Sequence, residues 1–270
     1  MKFLCFAIIF SLVACSRIPF LGNRLQDAPG HLEKYERYEA GDYLAFLTEV
    51  GKRYLETPGV EEFVLTPREH AYFVSLYKRI LLNNELLLNR SIEPNFHIIK
   101  DQAPFIFSLP PGDFYISSGL LAKYCRSEDI LFSSLTHEII KLHRSLYPRT
   151  TIVPIGYIKT DRLLTLVRVP SETKITLNKW SFYAMRRAGL DGYAYLNWLQ
   201  LQNKNVLDFG MMLGDTRSIS HEEFVFKNFI VQEGFVLHNI KKLETNSSPE
   251  FYNVINGLGK AKVKTWKSKG

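Results

Sequence analysis

Between Asn95 and Lys141 the apolar pattern changes its period, and that switch limits the folds open to this chain. Phe96-His97-Ile98-Ile99, Phe105-Ile106-Phe107 and Phe114-Tyr115-Ile116 are short aromatic and β-branched runs separated by proline and glycine. Runs of this kind read as strands. Directly after them, Ser127-Glu128-Asp129 supplies a cap followed by acids in a first helical turn. The spacing predicts a helix from about Glu128 to Tyr147 that stops at Pro148.

Helical patterns flank this segment on both sides. Asp42–Leu55 carries Leu44, Phe46, Leu47, Val50 and Tyr54 on one side. Thr66-Pro67-Arg68-Glu69 is a helix start: Thr66 caps, Pro67 suits the first helical position and Glu69 completes a capping box. That helix is expected to run to about Leu88. Another is expected over Thr176–Arg187, closed by Gly189, with Asp191 capping the next. Helices before and after a small sheet indicate an α+β domain. The β-rich run Arg162–Val169 suits either a lid strand or a membrane-dipping loop. With 270 residues, 46% of them hydrophobic and 23% charged, the chain is neither disordered nor a multi-span membrane protein.

The N-terminus bears on location. Lys2 precedes an apolar run, Phe3 to Val13, too short to span a bilayer, and the run ends in Leu12-Val13-Ala14-Cys15. These features describe a secretory signal peptide over residues 1–14. The four-residue ending resembles a bacterial lipobox. The resemblance implies cleavage before Cys15, lipidation of its sulfur and acylation of its new amine; the other reading is an ordinary secreted protein. Ser16 after the cysteine resembles an outer-membrane address facing the periplasm. Residues 15–36, with Pro19, Gly22, Pro29 and Gly30, read as a lipidated tether. Cleavage removes Cys5 and lipidation occupies Cys15, which leaves Cys125 as a buried small hydrophobe.

Residues 37–245 form the expected folded domain, and 246–270 a basic tail holding Lys260, Lys262, Lys264, Lys267 and Lys269. The tail reads as a solvated terminus or as a contact for anionic lipid. The net charge of +7 suits anionic surfaces, yet aromatics do not interleave with a basic stripe, so no nucleic-acid platform is expected. Phosphate-binding glycine loops, Cys-x-x-Cys pairs and a nucleophile elbow are all absent from the sequence.

Two phrases carry a family resemblance. Residues 105–121 read Phe-Ile-Phe-Ser-Leu-Pro-Pro-Gly-Asp-Phe-Tyr-Ile-Ser-Ser-Gly-Leu-Leu, and residues 127–141 read Ser-Glu-Asp-Ile-Leu-Phe-Ser-Ser-Leu-Thr-His-Glu-Ile-Ile-Lys. Together they resemble the HtpX and CAAX-protease family of gluzincin zinc peptidases, in particular its small periplasmic lipoproteins. Leu109, Pro110, Gly112, Gly119, Leu120, Leu121, Glu128, His137 and Glu138 fall in register with that pattern. Met185-Arg-Arg-Ala-Gly-Leu-Asp191 resembles the end of the family's later ligand helix.

The resemblance implies a mainly helical gluzincin-like domain with a small sheet beside the active-site helix. It also implies a cleft strand, Asp113-Phe114-Tyr115-Ile116, that pairs with extended peptide. In His-Glu-x-x-His the two histidines share a helix face and the glutamate polarises a zinc-bound water. His137 stands at the first ligand position and Glu138 at the general base, but Lys141 replaces the second histidine. The third ligand position falls on Thr176, with Asn178 and Lys179 following where the family has an acid and a base. His143 lies about 240° around the helix from His137 and points elsewhere. Glu172 would reach a metal only if its helix starts early, and His221 lies in a segment that faintly resembles a late family motif.

Three functions remain open on these residues. The first is a lipid-anchored envelope protein with a degenerate metallopeptidase domain, without cofactor, binding polypeptide clients or an envelope assembly complex. The second is an active zinc endopeptidase with a rearranged ligand set, using His137 and Glu138. The third is an envelope scaffold. Lys141, three residues from Glu138, is expected to pair with it and occupy the vacated cation site.

Overall fold

The structure is a computed structural model that describes residues 40–149, 157–233, 247–258 and 262–265. The signal peptide, Cys15, the tether, and Lys260, Lys267 and Lys269 lie outside the described residues. Contacts divide the chain into Met1–Tyr43 and Leu44–Gly270. Of the first unit only the opening turn of helix α1 (Ala40–Leu55) is described, and the second holds everything that follows.

The fold is α+β. In chain order α1 leads to β1 (Glu61–Phe63), α2 (Pro67–Leu81), β2 (Asn95–Ile99), β3 (Ile106–Leu109) and β4 (Asp113–Ser117). A π-helical turn, Leu120–Tyr124, then precedes α3 (Glu128–His143). After it come α4 (Thr160–Val167), α5 (Ser171–Arg187), α6 (Tyr193–Lys204), the short α7 (Gly210–Leu213) and α8 (Ser218–Gln232). The last elements are α9 (Pro249–Gly257) and β5 (Val263–Thr265).

Local chemistry accounts for most element ends. Thr66 and Glu69 form the capping box of α2, with the Thr66 N–H donating to Glu69 Oε2 at 2.7 Å. The helix stops at Leu81, short of the expected Leu88. Asn83 turns the backbone to φ 60°, and the Asn84 amide donates to Ile80 O at 2.8 Å and to Ala184 O of α5 at 2.9 Å. Asn84 thus satisfies carbonyls at two helix ends, which continued helix would forbid.

Helix α3 ends at His143 and not at Tyr147. Ser145 takes φ 50°, and the N–H groups of Ser145 and Leu146 donate back to Leu142 O and Lys141 O. Helix α5 closes the same way on Gly189 at φ 70°, the conformation glycine adopts without strain. Its start, Ser171, precedes the expected Thr176 because Pro170 is already placed as a cap, with Lys174 N–H donating to Pro170 O. The run Arg162–Val169, read as β-rich, lies mostly in helix α4, with Leu163, Leu164, Leu166 and Val167 buried. Burial of that face outweighs the weak strand preference of single residues.

The sheet order is β3-β4-β2-β1-β5. β2 and β4 run parallel, from Asn95 opposite Asp113 to Ile99 opposite Ser117, and the other pairs are antiparallel. Asp113-Phe114-Tyr115-Ile116 is therefore an internal strand, with its backbone committed to β3 on one side and β2 on the other. It has no free edge for a peptide, and that expectation is corrected. The residues read as a basic tail are corrected too, since α9 and β5 lie within them. β5 pairs with β1, placing Val263 opposite Phe63.

Gly119 permits a close backbone approach, since a Cβ there would lie 2.2 Å from Gln102 O. Cys125, just after the π-helical turn, is buried, and its thiol is pushed up to about 12 by that burial. The N-terminus of α3 is held from a distance. Ser247 Oγ accepts from Glu128 N–H at 3.0 Å, and the Glu128 carboxylate accepts from Ser248 N–H at 3.1 Å and Tyr72 OH at 2.8 Å. Ser127 occupies the cap position without a side-chain capping bond of its own.

His97 links three strands. It stacks on Tyr115, with Glu62 Oε1 2.7 Å from Nδ1 and Asp113 Oδ1 3.3 Å from Nε2. Burial opposes its charge, but the two carboxylates outweigh burial and hold the pKa up at about 9. An unfolded histidine releases its proton near about pH 6.5. Between these values the folded chain binds more protons, so raising the pH removes stability. A contribution of about 3 kcal/mol, complete below about pH 6.5, is lost as the pH rises through about 9. Denaturant unfolding across this window should show the loss in the parent chain and its absence in His97→Gln. Parallel curves for the two proteins would reject the assignment.

Candidate functional site

One cavity of about 70 Å³ lies among α3, β3, α4, α5, α6 and α8. The first wall is α3, whose inner face turns His137, Glu138 and Lys141 toward it. Serine and threonine side chains on this helix bond back to its own carbonyls, as Ser133 does to Asp129 O and Thr136 to Phe132 O. That lets the buried Ser133 and Thr136 hydroxyls pass through the core with their donors met.

Lys141 is 2% exposed and forms an ion pair with the carboxylate of Glu138. Glu138 Oε2 also accepts from Ser108 Oγ of β3 at 2.9 Å. Burial lowers the Lys141 pKa, and Glu138 opposes that shift. The Lys141 ammonium also stands 5.6 Å from the centre of the Tyr147 ring.

His137 Nδ1 lies 2.8 Å from the hydroxyl of Tyr195, which donates to Asn178 Oδ1 at 2.7 Å. A hydroxyl carries one proton, so the assigned His137 tautomer donates from Nδ1 and keeps Nε2 as an acceptor. Burial, aided by the ammonium groups of Lys141 and Lys174, pushes the His137 pKa down to about 3. The ring is neutral at ordinary pH.

Across the cavity, Lys174 of α5 stands 3.7 Å from Glu222 of α8. Burial raises the Glu222 pKa, and Lys174 moderates the rise. Leu164, Val167, Trp198, Leu199 and Leu213 complete an apolar surround. Arg168 also lines the cavity, its guanidinium donating to Met211 O at 2.9 Å and Met212 O at 3.3 Å.

Of the residues expected to form the site, His137, Glu138, Lys141 and Asn178 come together. Thr176 and Glu172 lie one turn apart on the exposed side of α5, although that helix starts early enough to include Glu172. The α5 residues that reach the cavity are Lys174 and Asn178, four apart. His143 is buried on the other side of α3, bonded to Tyr77 OH at 2.8 Å, and His221 is exposed.

Sequence reasoning missed Ser108, Lys174, Tyr195 and Glu222. A signal for Glu222 was present. It falls between Ile219 and Phe226, whose helical spacing marks the buried face of α8.

The donor set does not suit zinc. Among the described residues no three His, Cys, Asp or Glu side chains gather as a metal-holding group. The side chain one turn beyond His137 is an ammonium already paired with Glu138, and a second ammonium, Lys174, lines the same cavity. Two cations would repel a third. Among the described residues, no helix is long and apolar enough to cross a membrane. No family model matches this chain, and no curated protein matches it significantly.

Proposed function

We propose that this chain is a gluzincin-like metallopeptidase domain that binds polypeptide in the bacterial envelope without cleaving it. The observation that carries the reading is the buried Glu138–Lys141 ion pair, which fills the position a second metal ligand would need. An ammonium in place of a ligand supplies the positive charge that Glu138 would otherwise find in a metal. The same reading places the chain on the periplasmic side of the outer membrane through Cys15, on the strength of Leu12-Val13-Ala14-Cys15.

Polypeptide binding rests on the family resemblance, since β4 is internal and the residues of β3, Ile106–Leu109, are buried. β3 ends the sheet, and its residues Ile106 and Phe107 border the cavity.

Zinc content tests the proposal. The full chain, purified in detergent without chelator or His tag, should carry well under about one zinc per chain by elemental analysis. About one zinc per chain, released by chelator together with any peptide hydrolysis, would replace this reading with an active endopeptidase.

A further inference from the structure

We infer that the loop at residues 82–92 is a docking surface of the folded domain, and that its partner is an anionic phospholipid bilayer. The inference goes beyond anchoring at Cys15 and beyond polypeptide binding, and it needs neither.

The loop is pinned at both ends onto helix termini. Asn83 Nδ2 donates to Arg187 O at 3.1 Å and Asn84 Nδ2 to Ala184 O at 2.9 Å, which fixes its start on the end of α5. Leu88 is buried, and Arg90 donates to Ser145 Oγ just past the end of α3. Between these points Leu86 is 91% exposed and Leu82 57% exposed. Two apolar side chains are thus held out from a fixed base.

Arginines surround the leucines. Arg79 O accepts from Leu82 N–H at 3.2 Å, Arg187 carries the carbonyl that Asn83 grips, and Arg90 lies in the loop itself. Arg144 precedes Ser145, with its guanidinium 5.8 Å from the centre of the Trp180 ring. All four arginines are exposed, and none forms an ion pair among the described residues. Against them stand Glu85 in the loop, Glu93 just beyond it, and Glu233, which Tyr183 engages near Arg186 and Arg187. With Arg186 counted, five arginines face three carboxylates, so the surface is cationic. Helix dipoles account for Arg79, Arg144 and Arg187 at helix ends. They do not account for Arg90, which lies outside any helix, or for the exposed leucines.

A groove of about 480 Å³ opens beside Arg90. Leu44, Ile92, Pro110, Pro111 and Leu142 supply its apolar walls, and Arg90 is the single charged residue among those lining it. That volume is typical of ligand sites, which run to about 300–1,000 Å³. An apolar groove with one cation at its side suits an acyl chain beneath an anionic headgroup.

The shape of the loop selects lipid over protein. A leucine as exposed as Leu86 is buried only by something that closes around it, as fluid acyl chains do. The arginines then reach the headgroups, and the half-buried Trp180 suits the polar boundary. Each arginine near an anionic surface strengthens partitioning by about fivefold.

Hydrogen exchange on the full chain tests this in two kinds of vesicle, phosphatidylcholine alone and phosphatidylcholine with phosphatidylglycerol, after flotation has shown how much chain each holds. With phosphatidylglycerol, amide exchange over residues 82–90 should slow at least about fivefold, while residues 205–209 around the 88% exposed Leu207 should not change. Leu86→Asp should return the loop to its rate in phosphatidylcholine, with exchange in α3 unaltered because an exposed side chain contributes little to folding. Arg187→Glu should do the same.

A chain that floats with both vesicles but exchanges equally at 82–90 would overturn the inference and leave anchoring intact. A chain that floats with neither would overturn both. Equal slowing at 205–209 would mean general shielding and would also overturn it. Slowing at 82–90 by an envelope extract, with neither vesicle effective, would give the loop to a protein partner in place of lipid.

Discussion

Glu138→Ala is expected to cost about 3–5 kcal/mol of folding stability, the penalty for leaving a buried charge without its partner. The Lys141 ammonium it strands is 2% exposed, with the Tyr147 ring centre 5.6 Å away. The same change removes the carboxylate that accepts from Ser108 Oγ. Lys141→Met should cost a similar amount, because it leaves the Glu138 carboxylate in the core with one hydroxyl donor.

The double variant Glu138→Leu, Lys141→Met should behave differently. It removes both charges and refills their volume with apolar atoms, so its stability should return to the parent value or exceed it. Urea unfolding of this double variant and of Glu138→Leu and Lys141→Met singly measures the coupling directly. A single-variant cost below about 1 kcal/mol would mean that the pair is solvated. It would also remove the structural basis for an ammonium standing in for a metal.

Phe114→Ala should cost about 3–5 kcal/mol, for reasons of packing. Phe114 is 0% exposed on an internal strand. Its ring stacks on Phe96 at 5.1 Å and meets Tyr77 edge-on at 5.9 Å. Its neighbours belong to β2 and α2, so the void opens where sheet and helix meet and cannot collapse without moving both. Phe224→Ala is the comparison, since that ring is 62% exposed on α8 and its loss should change stability by less than about 0.5 kcal/mol. Thermal or urea unfolding with comparable costs for the two would mean that Phe114 does not pack as described.

Several features of the fold were legible in the sequence because their causes are local. The capping box joins residues three apart, and Thr66 with Glu69 makes it as expected. Gly189 closes α5 because a left-handed residue there is decided within one turn of helix. The three strands were visible as short β-rich runs between prolines and glycines. The Glu138–Lys141 pair was visible because residues three apart on a helix are neighbours whatever surrounds them.

Features with distant causes were not legible. Asn84 ends α2 through a carbonyl of α5, Ala184. Ser247 and Ser248 hold the start of α3 from far along the chain. The count that led to Thr176 assumed a register for α5, whereas packing turned Lys174 and Asn178 toward the cavity.

The sequence by itself determined an α+β chain, where most of its helices and strands lie, and a helix bearing His137, Glu138 and Lys141 on neighbouring positions. Tertiary structure decided that β4 is internal and β3 the edge, that β5 pairs with β1, and that Tyr195, Asn178, Lys174 and Glu222 meet around His137. The physical reason is range. Caps, turns and helix-face pairs draw their free energy from residues within a turn or two. Strand order and cavity lining come from many small packing terms summed over residues far apart in the chain, which no local pattern encodes.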